Sequence, residues 1–295
     1  MRIVGSPGLA VAMIVASGFM VTVEAVFLRA LNNQVSQGQM LLFRSGMQLV
    51  LAAAVGAAMK GGLRAVVCTS RLRGHLLRGA LAAVSWWCYF MSFKLLPLAL
   101  ATTLTFSSQL FVLLLVWPML RERVTRPQLV STLVGFVGVL VAAGIWNPMT
   151  LDWRVVYGLA ASLIGAVMIM ITRSLSFTER NETILFYMAL VVFLSAIPQS
   201  AVDWTPLGGP TLLLLLLMAL CGTLGTWLMV SAYRHAEPSA LAPYIYVRLI
   251  FAAALGYWVF ADAVAWSTIA GALLIVASNL APLWLGARGR GSAQR

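Results

Sequence analysis

Apolar stretches of about twenty residues recur ten times along this chain, over approximately 8–31, 38–59, 74–95, 97–119, 126–146, 153–175, 181–200, 209–233, 238–261 and 264–286. A helix of about twenty residues spans the roughly 30 Å hydrocarbon layer of a bilayer. Inside that layer every backbone polar group must be bonded within the protein, which helices satisfy without help from neighbours. The expected fold class is therefore an all-α integral membrane protein with ten transmembrane helices. Composition agrees, since 61% of the 295 residues are hydrophobic and 9% are charged, with a mean hydropathy of +0.94. Both a soluble globular domain and a disordered chain are excluded on those figures. The first stretch runs past twenty residues, longer than the apolar region of a secretory signal, and is read as a membrane span. Connections are short, which leaves no extramembrane domain and confines any function to the bundle.

The net charge of +12 would suggest nucleic acid in a soluble protein, but its placement follows membrane topology instead. With the N-terminus inside, fifteen of the twenty Lys and Arg fall on the inner side: Arg2; Lys60, Arg64, Arg71, Arg73 and Arg78; Arg121, Arg123 and Arg126; Arg173 and Arg180; Arg234; Arg288, Arg290 and Arg295. Arg29, Lys94 and Arg154 fall outside, and Arg44 and Arg248 lie within spans. This asymmetry predicts cytoplasmic termini and supports the span count. The basic loop from Lys60 to Gly74 is read as a topology signal in contact with anionic lipid, and no nucleic-acid partner is expected. The cysteines Cys68, Cys88 and Cys221 have no CxxC or Cys/His ligand spacing, so neither a metal nor any other cofactor is expected.

Sliding the chain against itself at an offset of 140 residues pairs Trp87 with Trp227, Phe93 with Tyr233, Lys94 with Arg234, Phe111 with Phe251, Trp117 with Tyr257 and Glu122 with Asp262. Two halves, 1–147 and 148–295, then carry five spans each. Because five is odd, the second half enters the membrane upside down. Inverted repeats of this kind serve alternating access about a midplane site, and they point to a carrier.

The run Phe93-Lys94-Leu95-Leu96-Pro97-Leu98-Ala99-Leu100-Ala101-Thr102-Thr103-Leu104, the segment Arg121 to Leu129 and the small residues from Gly135 to Gly138 resemble the drug/metabolite transporter superfamily of EamA type. A weaker second copy runs from Tyr233 to Ala240 and ends at Phe260-Ala261-Asp262. The Gly-Glu dipeptide common at the end of the family's fourth span stands here as Arg121-Glu122. The resemblance implies a ten-helix carrier of amino acids, other metabolites, drugs or nucleotide sugars in a bacterial inner membrane. YddG-type exporters of aromatic and neutral amino acids look most similar in length and aromatic content.

Ionisable residues inside a span are costly and point to function by default. Glu24 and Arg44 lie at matching depths on the first two spans and can pair. Two readings stand: a structural ion pair, or a proton or substrate switch on Glu24, whose helix face also carries Met20. Arg248 lies ten residues into the ninth span, near the midplane, with Tyr244 and Phe251 on its face. It is expected to bind a substrate carboxylate, the alternative being backbone carbonyls or a water-filled vestibule. The 140-residue offset sets Ser108 opposite Arg248, with Thr105 and Gln109 on the same helix; these offer either substrate contacts or helix-packing bonds. Trp87, Tyr89 and Trp227 are candidates to wall a cavity, or else to pack helices. Pro243 removes a backbone donor near Arg248 and is expected to loosen that helix.

The leading expectation is an exporter of small, amino-acid-like metabolites. A multidrug or organic-cation exporter is the runner-up, and an intramembrane enzyme or a channel ranks below it. An enzyme needs a buried catalytic constellation, whereas His75 and His235 lie at helix ends. No Walker motif is present, which disfavours direct use of ATP.

Overall fold

The structure is a computed structural model that describes residues 7–31, 34–58, 62–95, 104–121, 124–142, 153–260 and parts of 266–278. The termini, all of 96–103, Glu122, Asp262 and the end of the tenth expected span lie outside the described residues. Among those described the chain is helical throughout: α1 Pro7–Leu31, α2 Gln37–Ala58, α3 Gly62–Val67, α4 Leu72–Leu95, α5 Ser108–Leu120, α6 Arg126–Ala142, α7 Val155–Leu175, α8 Asn181–Val202, α9 Gly209–His235, α10 Pro238–Ile245 and α11 Val247–Phe260. Six helical stretches among these residues are long and apolar enough to cross a membrane, the last of them Pro238–Phe260, which joins α10 to α11. Leu104–Leu120 is a shorter apolar helix. The basic loop contains one element that hydropathy does not announce, the six-residue helix α3, whose Val66 side chain fills the space beside Gly56 of α2.

The exposure pattern is that of a protein dissolved in lipid. Leu114, Trp117, Val202, Leu213 and Leu273 are exposed, while Ser17, Gln39, Gln48, Ser131, Thr223 and several arginines are buried. Without a hydrophobic drive between helices, close backbone approach and interhelical hydrogen bonds supply the association.

Two compact units result. The first comprises Met1–Val84 and Ile171–His235, the second Ser85–Met170 and Ala236–Arg295. Each draws on both sequence halves, so the grouping by contact cuts across the division at 147/148.

In the first unit, α1 packs along α9 because Gly222 and Gly225 leave room. A Cβ on Gly225 would stand 2.7 Å from Val21, and the Ser17 hydroxyl donates to the Gly225 carbonyl at 2.7 Å. Two apolar clusters complete this unit, one around Leu31, Met40, Leu215 and Met218 and another around Ala52, Leu175, Ile184, Leu185 and Val230.

In the second unit, the small residues of α6 do what their size suggests. Gly135 faces the Tyr246 ring, Gly138 lies against the Gly271 carbonyl, and the Ser131 hydroxyl donates to the Ser278 carbonyl. Phe106, Tyr246 and Ile275 form one core there, and Val112, Val116, Ala166 and Met170 form another.

Candidate functional site

The first buried charge is a clamp joining three helices of the first unit. Glu24 of α1 and Arg44 of α2 are 2% and 7% exposed, and Arg44 Nε donates to Glu24 Oε1. The Arg44 Nη2 group donates onward to Thr226 Oγ1 of α9 at 3.1 Å and to the Gly222 carbonyl at 3.5 Å. Thr226 also bonds back to the Gly222 carbonyl at 2.8 Å. Gly222 is what admits the carboxylate, because a Cβ there would meet Glu24 Oε1 at 2.1 Å. Met20, one turn before Glu24, lies beside Gly225. The matched depth of Glu24 and Arg44 in the sequence thus corresponds to a direct ion pair.

The second feature is a pair of helix breaks in the second unit. Helical structure is interrupted at Ser107, between 104–106 and α5, and at Tyr246, between α10 and α11. At each break the backbone tightens to i→i−3 bonds. Ser107 N–H donates to Leu104 O at 3.1 Å and Leu110 N–H to Ser107 O at 3.0 Å; Tyr246 N–H donates to Pro243 O at 3.3 Å and Leu249 N–H to Tyr246 O at 2.9 Å. Pro243, three residues before the second break, has no N–H for the Ser239 carbonyl, so the ladder is one bond short just ahead of it. The two breaks touch, with the Phe106 and Tyr246 ring centroids 5.8 Å apart.

These bonds repeat at a spacing of 139 residues, one fewer than the offset read from the side chains. Counted from the breaks, Gln109 stands two residues past Ser107 as Arg248 stands two residues past Tyr246. Gln109 is buried on the α5 face that also carries Val112 and Val116. Its Nε2 donates to Ser108 Oγ at 3.1 Å, and its Oε1 has no partner.

Arg248 lies in the first turn of α11, just past its break, and is half-buried. Among the described residues no hydrogen bond or ion pair is made by it, in contrast to Arg44. Tyr244 and Phe251 are half-buried on either side of it in sequence, and Thr105 is half-buried just before the other break.

The aromatic candidates divide between the units. In the second unit Trp87 is 48% exposed and meets Tyr157 edge-on at 5.8 Å, while Tyr89 meets Trp86 edge-on at 5.7 Å. In the first unit Trp227 packs against the cluster of Ala52, Leu175 and Ile184.

Sequence reasoning passed over a further set of buried cations. Arg78 and Arg173, counted there as loop charges, are 1% and 2% exposed. Arg78 Nε donates to Thr172 Oγ1 at 2.7 Å and its Nη1 to the Ile184 carbonyl at 3.3 Å. Arg173 donates to the Tyr233 carbonyl and lies 4.4 Å over the Phe177 ring. The available signal was the position of Arg78 inside an apolar stretch, four residues past its start.

A family model described as EamA-like transporter family matches residues 8–144. The chain is 32% identical over 221 residues to the S-adenosylmethionine uptake transporter of Rickettsia bellii, covering 72% of each protein. It is 30% identical over 210 residues to the pseudopaline exporter CntI of Pseudomonas aeruginosa, covering 70% of this chain and 73% of that one. It is 28% identical over 234 residues to the riboflavin transporter of Brucella anthropi, covering 75% and 80%. A solved crystal structure superposes with a TM-score of 0.79 at 17% identity, over 96% of this chain and 99% of the other, which supports the fold alone. The cargoes named for these relatives are small molecules other than free amino acids, so the similarity gives a coarser function than the amino-acid exporters that the sequence resembles. This chain is an integral protein of a bacterial inner membrane, a membrane transporter that belongs to the EamA-like transporter family of the drug/metabolite transporter superfamily.

Proposed function

We propose that the chain is a secondary carrier for small metabolites that bear an amino-acid group, either as free amino acids or as part of a larger molecule such as S-adenosylmethionine, working by alternating access between two inverted five-helix repeats. The observation that carries this reading is Arg248, a half-buried guanidinium in the first turn past a helix break, with no partner among the described residues. An unpaired cation within a membrane span is expensive. A carboxylate accepting its two parallel N–H groups offsets that cost with charge-assisted bonds. Discontinuous helices are where carriers of this architecture gather substrate groups, because the freed backbone there lines a cavity. The matching bond pattern at Ser107 and Tyr246 supports the repeat. In this reading Tyr244 and Phe251 flank the substrate, and Glu24 serves as the structural partner of Arg44.

The test is uptake of radiolabelled amino acids and of S-adenosylmethionine into proteoliposomes holding the parent protein or Arg248→Ala. Saturable uptake that falls at least roughly tenfold in the variant, the scale of a lost charge-assisted contact, supports the proposal. Uptake that is unchanged in Arg248→Ala refutes the carboxylate assignment.

A further inference from the structure

We propose that His75 and Glu179 form a proton-operated latch that ties the first turn of α4 to the linker after α7 at the basic end of the first unit. Glu179 is buried at 8% exposure and is gripped from several elements. The Thr69 hydroxyl, in the segment between α3 and α4, donates to its Oε1 at 2.8 Å. Arg234 at the end of α9 donates to its backbone carbonyl at 2.6 Å and to the Ser176 carbonyl at 3.0 Å. Arg71 reaches the same linker through the Ser174 carbonyl at 3.1 Å and Thr178 Oγ1 at 3.3 Å.

An unfinished contact in this arrangement belongs to His75. Its Nε2 stands 3.8 Å from Glu179 Oε2, too far for a hydrogen bond. Neither ring nitrogen has a partner, although the residue is 1% exposed. The ring is held rather than loose. It stacks on Tyr187 of α8 at 5.0 Å and 27°, and Tyr187 in turn donates its hydroxyl to the Val67 carbonyl.

Protonation turns both ring nitrogens into donors and places a positive charge beside the carboxylate. A movement of less than 1 Å then closes the Nε2–Oε2 gap to bonding distance. The groups facing His75 are Arg71 ahead of α4, Arg78 on α4 itself, Tyr187 from α8 and Glu179 from the linker, with Arg234 of α9 bonded to that linker. A neutral ring leaves the Nε2–Oε2 gap open and a protonated ring closes it, so the latch responds to the local proton concentration. Closure ties 67–71, α4 and 176–180 into one piece and slows any opening of this end. The excess of basic residues marks the end as cytoplasmic, so the signal sensed is a fall in internal pH.

Hydrogen–deuterium exchange of the full chain in lipid nanodiscs, without substrate, tests the latch independently of any assignment at Arg248. After correction for intrinsic exchange, protection of 67–71 and 176–180 is expected to rise by a factor of roughly ten between about pH 7.5 and about pH 5.5, the scale of one charge-assisted bond. The rise should disappear in His75→Gln and in Glu179→Gln. Exchange along the Ser17–Gly225 contact, which is remote from the latch, serves as the folding control. Absence of the rise in the parent protein, or its persistence in either folded variant, overturns the proposal.

Discussion

Replacing Gly222 with alanine tests whether the Glu24–Arg44 clamp is rigid. The added methyl would stand 2.1 Å from Glu24 Oε1, 2.4 Å from Cδ and 2.7 Å from Oε2, so the carboxylate must move by more than 1 Å to reach ordinary contact. An unrestrained glutamate would swing aside at little cost. This one is bonded to Arg44, which is itself tied to Thr226 and to the Gly222 carbonyl, so swinging aside means giving up the ion pair. Overpacking costs about 1–3 kcal/mol, and separating a buried pair costs about 3–5 kcal/mol when one charge is left alone. Alanine recovers about 0.5–1 kcal/mol of helix propensity over glycine. The expected net loss is about 2–4 kcal/mol, read as reversible unfolding by SDS in mixed micelles and followed by circular dichroism. Glu24→Asp withdraws the carboxylate by one carbon–carbon bond, about 1.5 Å. The double variant should therefore be more stable than the two single losses predict, by about 1 kcal/mol or more. A Gly222→Ala protein as stable as its parent would refute the reasoning, for it would mean that the clamp yields freely.

Three other substitutions follow from the same geometry. Arg121 ends α5 in the left-handed region at φ 55, a conformation that glycine adopts without a Cβ penalty, so Arg121→Gly is expected to stabilise the protein by about 1 kcal/mol in the same unfolding assay. Gly135→Ala drives a methyl to 2.4 Å from the Tyr246 ring; because a buried ring cannot swing away, a loss of about 2–3 kcal/mol and a lower thermal midpoint in detergent are expected. Arg44→Ala strands Glu24 in the bilayer interior and should cost about 3–5 kcal/mol, whereas the joint Glu24→Gln, Arg44→Gln variant should cost less than Arg44→Ala alone; the reverse order in the unfolding assay would show that the pair is not what holds the three helices.

The helices were legible because lipid leaves few alternatives. A run such as Leu212–Leu217 has no water to face, and the predicted spans at 8–31, 38–59, 181–200 and 209–233 correspond to α1, α2, α8 and α9 within two residues at every end. Depth counting was enough to bring Glu24 and Arg44 together, since a rise of about 1.5 Å per residue on adjacent helices leaves little error. What depth cannot supply is direction around the helix axis. The 140-residue offset pairs Ser108 with Arg248, whereas counting from the breaks pairs Gln109 with it, a difference of about 100° around a helix. Small-residue spacing fared better, because Gly222, Gly225, Gly135 and Gly138 record the approach of a neighbouring backbone regardless of which neighbour it is.

The basic loops show how one residue type can serve two physical demands at once. An arginine at the inner end of a span fixes orientation by remaining on the cytoplasmic side, and that requirement concerns only its charge. Its five N–H groups then need acceptors, and at the ends of α7 and α9 the acceptors at hand are carbonyls that have run out of helix. Arg71 takes Ser174 O, Arg234 takes Ser176 O and Arg173 takes Tyr233 O. Each places a cation at the negative end of a helix dipole, an arrangement worth about 0.3–1 kcal/mol where exposed and up to about 2 kcal/mol where partly buried. Lysine would satisfy the orientation rule equally well but brings a single nitrogen to the task, whereas Arg234 spans two carbonyls three residues apart with its Nε and Nη2. The preference for arginine at these particular loops therefore reflects capping geometry, and the Lys and Arg asymmetry from which cytoplasmic termini are predicted is drawn in part from residues that the fold uses to close its helix ends.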